Sequence, residues 1–406
     1  MRSMSALVFL AASVAASGAD VTGYRLIAAW GTSGSGPGEF QEPMGVAVDA
    51  QGDLYVADSR NRRVQKFSVR GKFLAEFGGT DAFKKPVDAA VAADGTLYVC
   101  DYEADRVEAF SPDGKSLLGW GEPGEGNGQF RSPAGVAVDK AGHVYVADFY
   151  NNRIQVFDPK GRWLRSIGKK GRGKGEFNYP TDLDFDGSGN LMVADAYNHR
   201  IQKLTPDGRV LEIWGSAWKR FFSHRAFHVP SGIAVDGRGN VHVADSANKR
   251  VVLLGPKGDF RSEWKPAGDK HPDVYSPTRI AAGPEERVFA VDTANDRILV
   301  LSLGNAGAVA DAREVQVPAV AERVSGDMLV RIEGMACPFC AYGIEKHLGR
   351  LAGVRSARVN LGQGTAILDL EPGKTVSFDE VRKAVEKAGF KAAELKEIAP
   401  ARKENP

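Results

Sequence analysis

A four-residue phrase that returns six times constrains this chain more than any other feature. Tyr55-Val-Ala-Asp58, Tyr98-Val-Cys-Asp101, Tyr145-Val-Ala-Asp148, Met192-Val-Ala-Asp195, His242-Val-Ala-Asp245 and Phe289-Ala-Val-Asp292 follow one another at intervals of 43, 47, 47, 50 and 47 residues. Five residues after each Asp stands an Arg (Arg63, Arg106, Arg153, Arg200, Arg250, Arg297), and fifteen before it a Pro (Pro43, Pro86, Pro133, Pro180, Pro230, Pro277). Each unit holds four short apolar runs separated by Gly, Asp and Pro turns. One follows the Pro, one ends at the Asp, one follows the Arg, and one resembles Phe73-Leu-Ala-Glu-Phe77 or Val210-Leu-Glu-Ile-Trp214. Helical periodicity is absent, so each unit is a set of four strands.

Four strands per unit at this period is the pattern of a β-propeller blade. The segment Arg25-Leu-Ile-Ala-Ala-Trp30 matches a fourth strand but precedes the first unit, and the last unit ends at Leu303 after its third strand. The early strand is therefore expected to complete the last blade, closing the ring and removing the edges an open stack would expose. The Asp-x-x-Asn-x-Arg-[Val/Ile] signature and the Phe-x-x-Pro-x-Gly turns resemble the NHL repeat family of six-bladed propellers, over residues 25 to 303.

Six copies of an Asp–Arg pair serve no single active site, so these residues read as turn-pinning structure. Function is sought where the pattern breaks. Asp88, Asp182 and Arg279 stand two positions after the Pro where other units carry Gly. If the strand after the Pro is innermost, as the resemblance implies, these three face the mouth of the central channel and offer a site for a cation or small polar ligand. Lactonase-like propellers hold calcium with Asn, Asp and Glu at the channel, which Asp88 and Asp182 match only in part, so Ca(II) there is disfavoured. Amidating lyases of this fold place zinc-binding histidines just after the leading prolines, where this chain has Met44, Val87, Ala134, Thr181, Ser231 and Thr278. Three cysteines are too few for the RING module that accompanies NHL repeats in animal ubiquitin ligases.

Residues 1–19 carry Arg2, an apolar run from Ala6 to Ala16 and the small residues Ser17-Gly18-Ala19, the order of a secretory signal peptide. The run is too short to span a bilayer, so a soluble, exported (secreted or periplasmic) mature protein without a membrane span is expected. With 53 Lys and Arg against 51 Asp and Glu, the net charge of +2 supplies no field for nucleic acid, and none is expected as a partner. Gly168-Lys-Lys-Gly-Arg-Gly-Lys174 lacks the Ser or Thr and the helix of a phosphate loop and reads as a blade connection. The longest connection, residues 215–228, mixes cations with aromatics and suits docking of a partner protein.

Residues 304–326 show no period of two or of 3.6 and read as a flexible linker, with a reach of roughly 25 Å. Beyond it, residues 327–398 follow the order βαββαβ of an α+β ferredoxin-like sandwich. Ser377 with Glu380 forms a capping box for the second helix. Gly334-Met-Ala-Cys337-Pro-Phe-Cys340 lies between the first strand and first helix. Two thiols three residues apart at a helix amino terminus can converge on one ion, and the helix dipole favours thiolates there. A two-thiolate site suits Cu(I) or Hg(II), and Zn(II) less well because structural zinc wants four ligands.

This segment looks like the heavy-metal-associated domain of copper chaperones, metal-ATPase amino-terminal modules and the periplasmic mercury-binding protein, through Gly-Met-x-Cys-x-x-Cys and Ala388-Gly389-Phe390. The resemblance implies that Cys337 and Cys340 are the ligands, that Met335 is a buried anchor and that Phe390 lies near the metal loop. Cys-Pro-Phe-Cys also resembles the dithiol of thioredoxin-fold oxidoreductases, which leaves thiol–disulfide exchange open, although Pro372 sits in a Glu-Pro-Gly turn and not opposite the dithiol. Cys100 reads as a small buried apolar residue.

The expected protein is a monomer of two domains, a six-bladed propeller carrying a tethered soft-metal-binding domain. The expected function is metal capture or handover to a protein partner, with the dithiol exposed and the propeller as docking scaffold. The alternative is hydrolysis or lyase chemistry in the channel, with the small domain as metal sensor.

Overall fold

The computed structural model describes residues 23–215, 226–265, 277–304, 327–333, 335, 338–360 and 364–397. The expected signal peptide, linker residues 305–326, most of the long connection, and Gly334, Ala336 and Cys337 lie outside the described residues.

Six four-stranded antiparallel sheets correspond to the six units. The first contains Pro43–Val48, Leu54–Asp58, Arg63–Phe67 and Phe73–Gly78. In every blade the second strand, ending at the repeated Asp, is buried along nearly its whole length because neighbouring sheets cover both of its faces. The fourth strand is the most exposed, as Val210–Trp214 illustrates. The sixth sheet is completed by Tyr24–Trp30, which runs antiparallel to Arg297–Leu303 with Tyr24 opposite Leu303 and Trp30 opposite Ile298. The ring is closed by the amino-terminal strand, as the repeat arithmetic requires.

The repeated Asp and Arg hold the first, third, fourth and fifth blades to the loops that precede them. In the first blade Asp58 Oδ2 accepts from Arg63 Nε at 2.8 Å and Asn61 Nδ2 at 2.9 Å, while Asp58 Oδ1 accepts from the Gln41 amide at 2.8 Å. Arg63 then donates to the carbonyls of Gly36 and Glu39 at 2.8 and 3.0 Å. The second blade departs from this scheme. Ala104 replaces the Asn, Arg106 turns to Glu108 at 2.6 Å, and Asp101 accepts from the amides of Lys84, Lys85 and Ala104.

Residues 327–397 form one sheet in the order Val354–Asn360, Thr365–Leu370, Met328–Glu333, Lys391–Glu397, all antiparallel. Two helices accompany it, α1 (Pro338–Leu348) and α2 (Phe378–Lys387). Pro338 suits the first turn of α1, where its missing N–H costs no helical hydrogen bond. The capping box at α2 is present: the Ser377 side chain accepts from the Glu380 amide at 3.2 Å, and the Ser377 amide donates to Glu380 at 3.0 Å. Ile344, Leu348, Val381, Val385 and Ala388 are fully buried in the small domain's own core.

The expectation of a loosely tethered domain needs correction. Phe339, Cys340 and Tyr342 of α1 belong to the same buried cluster as Met44, Val87, Tyr102, Phe149 and Val229 of the propeller, so the small domain is seated on the ring. The aromatic side chains of both partners would face water if the two were apart, and burying them supplies the driving force.

A dithiol helix seated on the propeller mouth

The three channel residues converge. Arg279 Nε lies 3.4 Å from Asp88 Oδ1 and 3.6 Å from Asp182 Oδ1, and its Nη2 donates to the carbonyls of Ala134 and Thr181 at 2.5 and 2.7 Å. Arg279 Nη1 donates to the Ser231 carbonyl. Asp88 accepts from the Val136 amide at 2.9 Å and Asp182 from the Ile233 amide at 2.8 Å. All three side chains are buried, at 3, 4 and 1% exposure for Asp88, Asp182 and Arg279. Burial pushes both carboxyls above the ordinary aspartate range, although the Arg279 charge opposes it. The guanidinium lies between the two carboxylates, so the three residues pair with one another and do not form an open ligand site. Glycines in the alternate blades make room for this knot: a Cβ at Gly135 would stand 2.5 Å from the Thr181 carbonyl oxygen.

Phe339 of α1 covers the knot, its ring centroid 4.4 Å from Arg279 Cζ. Tyr102 Oη donates to the Phe339 carbonyl at 2.7 Å. The next residue, Cys340, is 1% exposed, and its sulfur lies 2.9 Å from Tyr197 Oη. The exposed position expected for this sulfur is thus replaced by a covered one. Tyr197 is flanked by the rings of Tyr179 at 5.3 Å and Phe390 at 6.4 Å. Phe390 therefore lies on the side of the domain that carries Cys340, and half-buried Met335 packs against both the interdomain cluster and the small domain's core. Cys100 is fully buried, and burial raises its thiol pKa well above the ordinary range.

Charged groups fix the register of the seat. Glu345 accepts from Arg60 at 2.9 Å and Lys85 at 2.8 Å, and also caps the Val359 amide at 2.8 Å. Burial alone would raise its pKa, but the charges of Lys85 and Arg60 outweigh it and hold the carboxyl below the ordinary glutamate range. Lys346 reaches Asp105 at 2.8 Å, Ser132 Oγ at 3.0 Å and the Tyr102 carbonyl at 3.1 Å. Among the described residues no group of three or more His, Cys, Asp or Glu is arranged to hold a metal ion.

The propeller side of this seat was missed in the sequence. It is built largely from the one or two positions after the repeated Asp, occupied by Arg60, Tyr102, Phe149, Tyr150 and Tyr197 in blades one to four, but by Ser246-Ala247 and Thr293-Ala294 in the last two. The departure from small residues there, and the Lys85 that precedes Pro86, were the available signals.

Family models match two parts of the chain: the NHL repeat at residues 40–67, 130–157 and 177–204, and the heavy-metal-associated domain at residues 329–391. The copper chaperone CopZ of Staphylococcus epidermidis is 34% identical over 62 residues, which are 15% of this chain and 90% of that protein. Human copper-transporting ATPase 2 is 38% identical over 69 residues, 17% of this chain and 5% of that protein. The Drosophila melanogaster protein brain tumor is 49% identical over 49 residues, 12% of this chain and 5% of that protein. The chain thus spans only a small part of these two larger relatives.

Among solved structures, a streptogramin B lyase aligns at a TM-score of 0.50 with 15% identity, covering 69% of this chain and 97% of that one. A Bacteroides thetaiotaomicron protein of unknown function aligns at 0.52 with 19% identity, covering 69% and 76%. A Xanthomonas campestris gluconolactonase aligns at 0.50 with 17% identity, covering 65% and 87%. At these identities the likeness shows a shared β-propeller fold. The chain carries NHL repeats in a six-bladed β-propeller and, through residues 329–391, belongs to the heavy-metal-associated domain family.

Proposed function

We propose that this protein captures a soft metal ion, Cu(I) foremost, on the Cys337–Cys340 dithiol and hands it to a protein partner outside the cytoplasm. The observation that carries the reading is the family match over residues 329–391, with a copper chaperone covered along 90% of its length, joined to the Cys337-Pro-Phe-Cys340 run in the sequence. Thiolates select soft cations, and two of them satisfy an ion content with two ligands. The ion is cargo: the dithiol binds and releases it, and partner thiolates take it over in turn. The signal-like residues 1–19 support export, and the propeller serves as the platform on which the metal domain sits.

A titration of the reduced protein with Cu(I) against a competing chelator tests the reading, with Hg(II) and Zn(II) in parallel. One-to-one binding of Cu(I), lost on Cys337→Ser with Cys340→Ser, is expected. Stoichiometric binding that survives the double substitution would place the metal elsewhere and defeat the proposal. Peptide sequencing of the mature amino terminus after expression from the full reading frame tests export, with Asp20 expected as the first residue.

A further inference from the structure

The covered position of Cys340 raises a question that metal binding does not answer. A partner must bring its own thiolate to the ion before the first bonds break, yet the propeller already occupies the approach to this sulfur. We propose that the propeller is the gate of Cys340: with α1 seated, this sulfur is withheld from outside ligands, and exchange at it occurs only when the small domain lifts from the ring. The purpose of the gate rests on the metal-binding reading above, whereas its geometry does not.

Three independent features support a built seat. The first is the sulfur itself, 1% exposed with the Tyr197 hydroxyl at 2.9 Å, which makes Tyr197 a positioning residue supplied by the other domain. The second is Lys346, whose ammonium group meets Asp105, Ser132 and the Tyr102 carbonyl, all of them propeller groups. Nothing in the small domain's own fold calls for that arrangement.

The third is Gly343. It lies inside α1, where glycine is disfavoured relative to alanine by roughly 0.5–1 kcal/mol. A methyl group built on it would overlap the Tyr150 hydroxyl, and the Tyr102 hydroxyl is also near. The glycine gives up helix stability and gains close approach to the ring.

The chemistry of the seat suits opening and closing. The Lys85–Glu345 and Lys346–Asp105 pairs are buried and Arg60 is partly so, and desolvation offsets much of the attraction, so such pairs specify register more than they add affinity. When the domain lifts, Glu345, Lys346, Arg60 and Lys85 all regain water. A joint held only by apolar packing would lack both that register and that ease of release.

The test is peptide-resolved alkylation of Cys340 by N-ethylmaleimide in the full, reduced, metal-free chain. Rates are compared for wild type, Gly343→Ala, Lys346→Glu, the two together, and wild type unfolded in guanidinium. Circular dichroism and the thermal midpoint check that each variant is folded, and Gly343→Ala favours the helix. Wild type is expected to react at least about tenfold more slowly than the unfolded chain, with most of that protection lost in the double variant, because protection of a covered group reports the opening that exposes it. Wild type reacting as fast as unfolded protein would overturn the gate. So would protection unchanged in all three variants, since the small domain alone would then shield the sulfur. Because the assay contains no metal, a gated protein that binds no Cu(I) defeats only the metal reading, and an ungated one that binds Cu(I) defeats only the gate.

Discussion

The hydroxyl of Tyr197 lies 2.9 Å from the sulfur of Cys340, joining residues 143 positions apart and tying the fourth blade to the first turn of α1. Tyr197→Phe removes that hydrogen bond and leaves the ring between Tyr179 and Phe390. A loss of about 1 kcal/mol is expected in denaturant unfolding. Tyr197→Ala also empties the ring's place, and a loss of about 3 kcal/mol or more is expected.

Arg279 is the single cation between two buried carboxylates. Arg279→Ala leaves Asp88 and Asp182 buried without it and should cost about 3–5 kcal/mol. Adding Asp88→Asn and Asp182→Asn should restore part of the loss by removing the stranded charges. Thermal unfolding of the three chains checks the order; a lower midpoint for the triple variant than for Arg279→Ala would contradict it.

His347 gives the seat a pH dependence. Burial lowers its pKa from 6.5 to about 4, helped by Arg350 just beyond α1, Lys346 of α1, Arg131 of the propeller and Lys387 of α2. Above pH 6.5 the imidazole is neutral in both folded and unfolded chains and costs nothing. As pH falls from about 6.5 to 4 the unfolded chain takes up a proton that the folded one refuses, so stability declines through that window. Thermal midpoints for wild type and His347→Gln between pH 7 and 4 check this; the slope should be shallower in the variant.

The strand Tyr24–Trp30 closes the ring on Arg297–Leu303. Deleting it bares the edge of the sixth sheet, and an exposed edge is a template for pairing with another chain. A chain that starts at residue 31 should therefore elute as dimers or larger species in size-exclusion chromatography, whereas removal of residues 1–19 should leave the elution unchanged.

The repeat carried most of the fold in plain view. The spacing of Pro, Asp and Arg identified each blade, the unmatched strand at Tyr24–Trp30 announced closure, and Ser377 with Glu380 marked a helix start, because each is a local pattern of backbone hydrogen bonding. The seat was not legible in the same way. Glu345 meets Arg60 285 residues away and Lys85 260 residues away, and no periodicity links such distant positions. Breaks in the repeat do point to Asp88, Asp182 and Arg279, but residues that look like ligands in a string of letters prove to be ion-paired with one another and hydrogen-bonded to the backbone of the inner strands. Tyr102, Phe149 and Tyr197 stand in the turns after the repeated Asp, where no local pattern announces a purpose that lies in a different domain.

The Asp88–Arg279–Asp182 knot also changes the kind of object the ring is. With the axis filled by a guanidinium that grips three strands, the propeller is a disk and not a tube. The three charged side chains that could have lined a route for solutes are instead packed between the inner strands, so the axis lends rigidity to the floor on which α1 rests.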